Sequence, residues 1–448
     1  MKINSEIFRA YDIRGKYPRE LNEEVTYKIG RAFVKFLRKK KLNIAVGQDM
    51  RLSSPKLFKA LTDGITAEGA NVINIGLATT PMLYFSTVRY GFDGGINITG
   101  SHTPGDSNGF KLVREKAIPI SQETGIQEIK KIVMEDKFEK KPLGKISKKK
   151  ILTDYINNAL HSIDGQAIKE LKIVIDTGNG MGGLVIPPLF KKLKCQIVPL
   201  YFELDGSFPH HIPNPLIAEN LVDLQKEVSK NQADLGIALD GDADRVIFVD
   251  EKGKIISGDL ITVLLARKLL KNNPGEKILY DVRSSCVVKE EIEKSGGVPI
   301  IFRVGHSFIK EKMRKANILF AGELSGHYYL RENYYIESPL IIILKVLEML
   351  SEAEKPFSEI IQSLRRFFAS GELNFKVQDK EKALKKIEER YQDAKNIFHL
   401  DGLSVEYENW WFNVRPSNTE DLLRLNLEAV TKELMEVKKK ELTALIKK

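Results

Sequence analysis

At 448 residues, with 42% apolar and 29% charged residues, the chain is sized for about three domains of ~150 residues and is too apolar for disorder. Its formal net charge of +10 is scattered over short lysine runs such as KKPLGKISKKK (140–150) and KKKELTALIKK (438–448), without interleaved aromatics; these read as solvated faces rather than a nucleic-acid surface, and the excess charge suits an anionic small molecule. Cys195 and Cys286 form no CxxC, the start MKINSEIFRAYDIRG lacks the apolar core of a signal peptide, and the longest greasy run, PLIIILKVLEML (339–350), is too short to span a bilayer, so the expectation is a cytoplasmic protein with no disulfide framework and no membrane partner.

In chain order, one plan recurs. NIAVGQDMRLSSPKLFKAL (43–61) reads as an apolar strand, a polar loop and a helix, and ANVINIGL (70–77) as a second strand. KIVIDTGNGMGGLVIPPLF (172–190) with CQIVPLYF (195–202), and KILYDVRSSCVVKEEI (277–292) with VPIIFRV (298–304), repeat it. Strands alternating with helices predict mixed α/β units with largely parallel sheets. The end differs: NFKV (374–377) precedes a helical pattern over 380–395, then the closely spaced strands LSVEY (403–407), WWFNV (410–414) and LLRLNLEAV (422–430), and a closing helix. That spacing predicts antiparallel neighbours in a small α+β domain. The expected domains are 1–150, 151–253, 254–369 and 370–448.

Four stretches between these elements carry chemistry. ITGSHTPGDSNGFKL (98–112) gathers Ser101, His102, Ser107, Asn108 and Lys111 in what reads as one loop; it is a plain turn or a nucleophile site, and GSHTP lacks the second glycine of a hydrolase elbow. In ADLGIALDGDADRVIFVDEKG (233–253), Asp240, Asp242 and Asp244 alternate with small residues. Carboxylates that close repel unless a hard cation sits among them. An EF-hand fails because Arg245 stands where its sharp turn wants glycine and the flanks read as strands; between a solvated acidic turn and a magnesium-phosphate site, the clustered aspartates with the adjacent arginine favour the latter. FAGELSGHYYL (320–330) places Glu323, Ser325 and His327 at alternate positions, so an extended loop would turn all three to one side, as suits the vicinal hydroxyls of a sugar; read alone, it is equally a polar turn with a satisfied histidine. VRPSNTEDLLRL (414–425) offers Arg415, Ser417, Asn418 and Thr419 in one turn, either an ordinary Asn-containing strand connection or a suitable phosphate cradle.

Taken together, FRAYDIRG (8–15), TGSHTPGDSNGFK (99–111), LDGDADR (239–245), GELSGH (322–327) and RPSNTE (415–420) resemble, in order and over essentially the whole chain, the motifs of the α-D-phosphohexomutase family, most of all its bacterial phosphomannomutase/phosphoglucomutase members. The resemblance implies three similar α/β domains and a C-terminal α+β domain around a central cleft. It implies interconversion of hexose 1- and 6-phosphates (mannose, glucose or both) through a phosphoserine at Ser101 and a sugar 1,6-bisphosphate, with phosphoglucosamine mutase as the alternative. One Mg2+ per chain would be held by Ser101, through its phosphoryl group, and by Asp240, Asp242 and Asp244. Tyr11, Arg14, His102 and Lys111 would surround the phosphoserine, and Arg245 would ligate phosphate. Lys111 would be the general base, its pKa depressed by Arg14 and Arg245. His306, Glu323, Ser325 and His327 would face the sugar, and Arg283 with Arg415, Ser417, Asn418 and Thr419 would hold the distal phosphate. The implied partner is a phosphosugar, with no nucleic acid and the chain a monomer or weak dimer. Two departures stand out: TGSHTP where the family usually has TASHNP, which should loosen the loop at Gly100, and Arg283 where relatives commonly have lysine. Leu324 leaves the GELSGH loop apolar, which disfavours an amino sugar.

Overall fold

Asn43–Gln48 is an aliphatic strand buried on both faces, as the middle of a sheet covered by helices must be. It pairs in parallel with Asn71–Leu77 and Gly94–Ile98. The computed structural model describes residues 3–163, 167–417 and 422–447. Its first sheet runs Ile13–Lys16, Ser107–Arg114, Gly94–Ile98, Asn43–Gln48, Asn71–Leu77, Ile146–Lys148. The strand Ser107–Arg114 corrects the expectation that 98–112 is a single loop. It is antiparallel to both Gly94–Ile98 and Ile13–Lys16, so ladders on both sides order residues of weak β-propensity, and Lys111 projects from a strand.

Two further sheets repeat the plan. The second runs Ile255–Ile256, Val246–Asp250, Leu235–Leu239, Lys172–Asp176, Gln196–Leu200, and the third Val298–Phe302, Lys277–Asp281, Phe320–Gly322, Tyr328–Leu330, Ile336–Glu337. In each of the three sheets a parallel pair is followed by an antiparallel hairpin: Gly94–Ile98 with Ser107–Arg114, Leu235–Leu239 with Val246–Asp250, and Phe320–Gly322 with Tyr328–Leu330. The serine, aspartate and GELSGH motifs are the connections of these hairpins, at the carboxyl ends of parallel strands where α/β sheets gather ligands.

The C-terminal sheet is antiparallel throughout, in the order Phe368–Ala369, Leu423–Ala429, Trp410–Pro416, Leu403–Glu406, Asn396–Phe398, with Leu373–Phe375 also on Leu423–Ala429. Phe368–Ala369 and Asn396–Phe398 are short edge strands with no signal in the sequence pattern. Helices Lys380–Arg390 and Lys432–Lys447 cover one side.

The cores divide unevenly. One apolar cluster runs unbroken from Phe85 and Tyr155 through Val185, Phe248 and Leu264 to Ile343 and Phe357, joining the first three units, while the first unit also holds a separate cluster around Ile29, Phe33, Leu61, Ile96 and Phe110. The C-terminal unit keeps its own, around Ile387, Tyr391, Val405, Phe412, Leu425 and Ile446. It meets the third unit through polar contacts, Val304 N–H to Asp401 at 2.9 Å and Cys286 N–H to Glu428 at 3.1 Å, beside a cavity of about 290 Å³ lined in part by Arg283, Leu324, Trp411 and Asn426. Among the described residues, no helix is long and apolar enough to cross a membrane.

Candidate active site

The serine connection is held by two residues that the sequence motifs do not flag. Arg51, at the end of the strand Asn43–Gln48, is buried and donates to the carbonyls of Ser101, Thr103, Pro104 and Ser107 at 2.6–2.8 Å. Asp49 accepts from Gly100 N–H at 3.3 Å and Ser54 Oγ at 2.6 Å, and lies 3.2 Å from Arg51 Nε. A Cβ on Gly100 would sit 2.5 Å from Arg51 Cζ. The glycine therefore does not loosen the loop, as its sequence suggested; it admits the guanidinium that fastens it. Ser101 itself has φ 51°, a left-handed conformation costing roughly 1–2 kcal/mol for a residue with a Cβ, and one that persists where the surroundings determine it.

Ser101 Oγ reaches across to Asp240 Oδ2 at 3.2 Å and lies 3.2 Å from His102 Nδ1. A Cβ on Gly241 would meet Ser101 O at 2.4 Å, so only glycine lets the two connections touch. Thr80, a further residue the sequence did not flag, donates from its hydroxyl to Asp242 and from its N–H to the Asp242 carbonyl at 3.1 Å. On the other side, the segment with Pro213 packs against Gly178 and Gly241. It is pinned by His211, whose Nε2 lies 3.0 Å from Asp176 Oδ2 and Nδ1 2.9 Å from the Ile212 carbonyl. Both partners only accept, so this geometry wants an imidazolium. Burial alone would lower the His211 pKa, but Asp176 pushes it up.

Carboxylate oxygens of Asp240, Asp242 and Asp244 lie within 4.8 Å of one another, all buried. Asp242 Oδ1 and Asp244 Oδ1 have no hydrogen-bond partner among the described residues. Burial, then Asp244 and Asp242, push the Asp240 carboxyl well above the usual range. Buried oxygens with no donor, in a group that resists ionising together, fit a hard divalent cation. A second group within the same reach, Asp244, His327 and Glu337, is different. There Lys310 Nζ lies 2.9 Å from both Glu337 oxygens, so the carboxylate is already compensated.

Lys111 contacts Asp242 Oδ2 at 2.7 Å and pairs with Asp244. Burial lowers its pKa, but Asp242, Asp244 and Asp240 outweigh burial and Arg14, and push it up. The direction is opposite to the depression expected from Arg14 and Arg245. Arg14 pairs with Asp12 at 2.6 Å and points Nη1 to the Gly100 carbonyl at 3.5 Å. Arg245 donates from Nε to His327 Nε2 at 3.0 Å, which leaves His327 Nδ1 to carry its proton, 3.8 Å from Asp244 Oδ1. Burial and the cations Arg245, Arg14, Lys111 and Lys310 push His102, His306 and His327 well below the usual range. That direction favours the neutral imidazole in each.

The GELSGH connection is a tight turn, not an extended loop. Gly326 N–H bonds to Glu323 O at 3.0 Å and Glu323 N–H to His327 O at 2.9 Å, so the side chains diverge. His327 joins the metal turn, whereas Glu323 accepts from Gly305 N–H at 3.3 Å and from Tyr329. Ser325 is buried between them. Tyr11 meets His306 edge-on at 5.0 Å and links the first unit to this group. Arg283 is buried and chelates Asp281 at 3.0 and 2.7 Å. Its Nη1 lies 3.7 Å from Glu372, which also lies 3.2 Å from Arg415. Arg415 is 2% exposed, and its Nε has no hydrogen-bond partner among the described residues. Ser417 N–H bonds to Leu422 O at 2.9 Å. Asn418 and Thr419 lie outside the described residues.

The order of domains is matched by family models. Residues 5–140, 153–253 and 257–367 match α/β/α domains I, II and III of the phosphoglucomutase/phosphomannomutase family, and 372–444 its C-terminal domain. A phosphomannomutase of Vibrio cholerae is 42% identical over 454 residues, covering 98% of both chains. A protein of Xanthomonas campestris named for phosphohexose mutases is 41% identical over 424 residues, covering 94% of both. The crystal structure of a phosphoglucomutase/phosphomannomutase family protein from Burkholderia thailandensis superposes with a TM-score of 0.91 at 32% identity, over 99% of this chain and 98% of that one.

Proposed function

Because the chain belongs to the phosphoglucomutase/phosphomannomutase family and is an intramolecular phosphotransferase of hexose phosphates, we propose that Ser101 carries the phosphoryl group it transfers between the 1- and 6-positions of the sugar. The observation that carries this reading is the juxtaposition of Ser101 Oγ with Asp240, 3.2 Å apart, beside the two unpartnered oxygens of Asp242 and Asp244. Asp240, Asp242 and Asp244 would hold one Mg2+ together with a phosphoryl oxygen on Ser101. When bound, the cation supplies charge stabilisation to the transferring phosphoryl group.

The chain's own residues supply the rest. Arg51 and Asp49 fix the backbone that aims Ser101, and positioning is most of what phosphoryl transfer asks of a protein. Lys111 and Arg14 place positive charge beside the same oxygens. Lys111 pairs with the aspartates that would hold the cation, and their engagement by it would remove the charge that raises its pKa, leaving Lys111 placed to take the proton of the attacking sugar hydroxyl. Arg245 orients His327 by occupying its Nε2, so that the imidazole presents a neutral ring to the pocket. Glu323 and Ser325 read sugar hydroxyls, His306 borders them, and Arg415 and Ser417 with the turn that follows grip the phosphate that is not being transferred. A sugar 1,6-bisphosphate forms, leaves that grip, turns and returns its other phosphate to Ser101.

Glu323 and Ser325 would meet hydroxyls common to glucose and mannose, so neither epimer is denied a contact. With Mg2+ and a trace of glucose 1,6-bisphosphate, kcat/KM for glucose 1-phosphate and mannose 1-phosphate should agree within about 10-fold, or 1.4 kcal/mol. Glucosamine 1-phosphate, assayed alongside, should be poorer, since Leu324 offers the amine nothing polar. A clear preference for it moves the assignment to an amino-sugar mutase. Intact-mass measurement should find one phosphate, lost in Ser101→Ala.

A further inference from the structure

Glu372 opens the C-terminal unit just after Gly371, whose φ of 69° only glycine adopts freely. Its carboxylate meets the guanidinium groups of three arginines. Oε2 lies 3.2 Å from Arg415 Nη2 and 3.7 Å from Arg283 Nη1, and Oε1 lies 3.2 Å from Arg424 Nη1. Arg283 comes from the third unit. Arg415 and Arg424 are direct cross-strand partners on neighbouring strands, where like charges repel unless an anion lies between them. Buried guanidinium groups need that anion.

The other carboxylates nearby are committed elsewhere. Asp281 chelates Arg283 and accepts from Leu324 N–H, Asp401 accepts from Val304 N–H, and Glu323 accepts from Gly305 N–H and Tyr329. Glu372 has a side chain 26% exposed, against 0% for Asp281 and 2% for Glu323. It is therefore more accessible to an incoming anion than Asp281 or Glu323. A phosphate that takes Arg415 through its unpartnered Nε and the neighbouring Nη2 would compete with Glu372 for that Nη2.

We propose that Glu372 is an internal competitor for the distal phosphate: it holds Arg283, Arg415 and Arg424 together until a phosphate displaces it, and by returning it drives that phosphate off when the bisphosphorylated sugar must turn round. The proposal rests on the assignment of the Arg415 turn to the distal phosphate. A ligand that must displace an internal anion binds with its intrinsic affinity reduced by the fraction of chains in which the site is open. The carboxylate thus lowers affinity and speeds release, two effects that a mere brace would not produce.

The test uses the full-length chain with Mg2+, calorimetric titration of glucose 1-phosphate in a Ser101→Ala background, and kcat in the otherwise wild-type chain. Glu372→Gln should bind glucose 1-phosphate about 10-fold more tightly, equivalent to 1.4 kcal/mol, with kcat reduced because release is slowed. Glu372→Asp, charged but too short to span the arginines, should tighten binding by about 3-fold. Unchanged or weaker binding in Glu372→Gln overturns the proposal; if that variant does not fold, the Asp variant decides by the same criterion. Arg415→Ala, titrated in parallel, separates the two layers. Weaker binding there upholds the distal-phosphate site whatever Glu372 does, and unchanged binding removes that assignment and the competitor with it.

Discussion

The pocket around Ser101 and the arginine cluster around Arg415 both suit phosphate, yet they are built in opposite ways. The first sits on hairpin connections of units that share one unbroken apolar cluster, and its parts touch through backbone: Arg51 on four carbonyls, Gly241 against Ser101 O, Thr80 N–H on Asp242. The second straddles a junction between separate cores and is joined by side-chain charges. Bond making tolerates little misplacement, whereas holding and releasing a phosphate needs contacts that part at low cost. Each half has the construction that its proposed task would require.

Substitutions can break this contrast, and the largest effect belongs to the rigid half. Ser101→Ala and Asp242→Asn should each lower kcat on the order of 10³-fold or more, measured by coupled assay with saturating Mg2+. A wild-type rate in either would detach that residue from the chemistry. Arg51→Met touches no proposed substrate atom. It should still cost about 10²-fold in kcat with KM little changed, because it frees the carbonyls that aim Ser101. An effect on KM alone would place Arg51 outside the reacting geometry.

On the polar side, Arg415→Ala should raise KM about 10- to 30-fold while leaving Ser101 phosphorylated, as expected for loss of a charge-assisted phosphate contact. Raising salt should raise KM in wild type more than in this variant. The smallest effect sharpens the contrast from within the rigid half. His211 faces Asp176, with Asp223, Tyr201 and His210 also nearby. Its folded pKa is raised above the ordinary 6.5, so the stabilisation is complete below pH 6.5 and is lost as pH rises through the folded value. Denaturant titrations across that window should show a decline in wild type that His211→Asn removes. An identical pH slope in both would show that the Pro213 segment is pinned by something else.

The repeated α/β units, the aspartate turn and the closing antiparallel strands are legible in sequence because each is written in local periodicity or in an unusual density of one residue type. Arg51 is not. It is a single arginine in GQDMR, and its role exists only once the serine connection folds over it. A basic residue just past the end of a parallel strand was the available signal, since that is where such sheets bind ligands. The strand carrying Lys111 was hidden for a related reason: Asn108, Gly109 and Lys111 are poor strand formers, and the ladders on either side override them. The direction of the Lys111 shift depended on aspartates more than 130 positions away in the chain, which no local pattern reveals. Glu372 was likewise silent, one carboxylate in a linker until three arginines converge on it.

The separation of cores sets how the molecule comes apart. The first three units, tied together by one shared apolar cluster even though the first also has its own, should melt as a single cooperative block, while the C-terminal sheet, which contributes nothing to that shared cluster, can melt or exchange its amides independently. Calorimetry of the free protein should then resolve two heat-absorption peaks of unequal size, the smaller abolished by deleting residues 370–448. A bisphosphorylated sugar that gripped both halves, as proposed, would stabilise only the form in which both are folded, by RT ln(1 + [L]/Kd). At concentrations far above Kd the two peaks should merge into one, making the substrate the strongest link between the fourth unit and the rest.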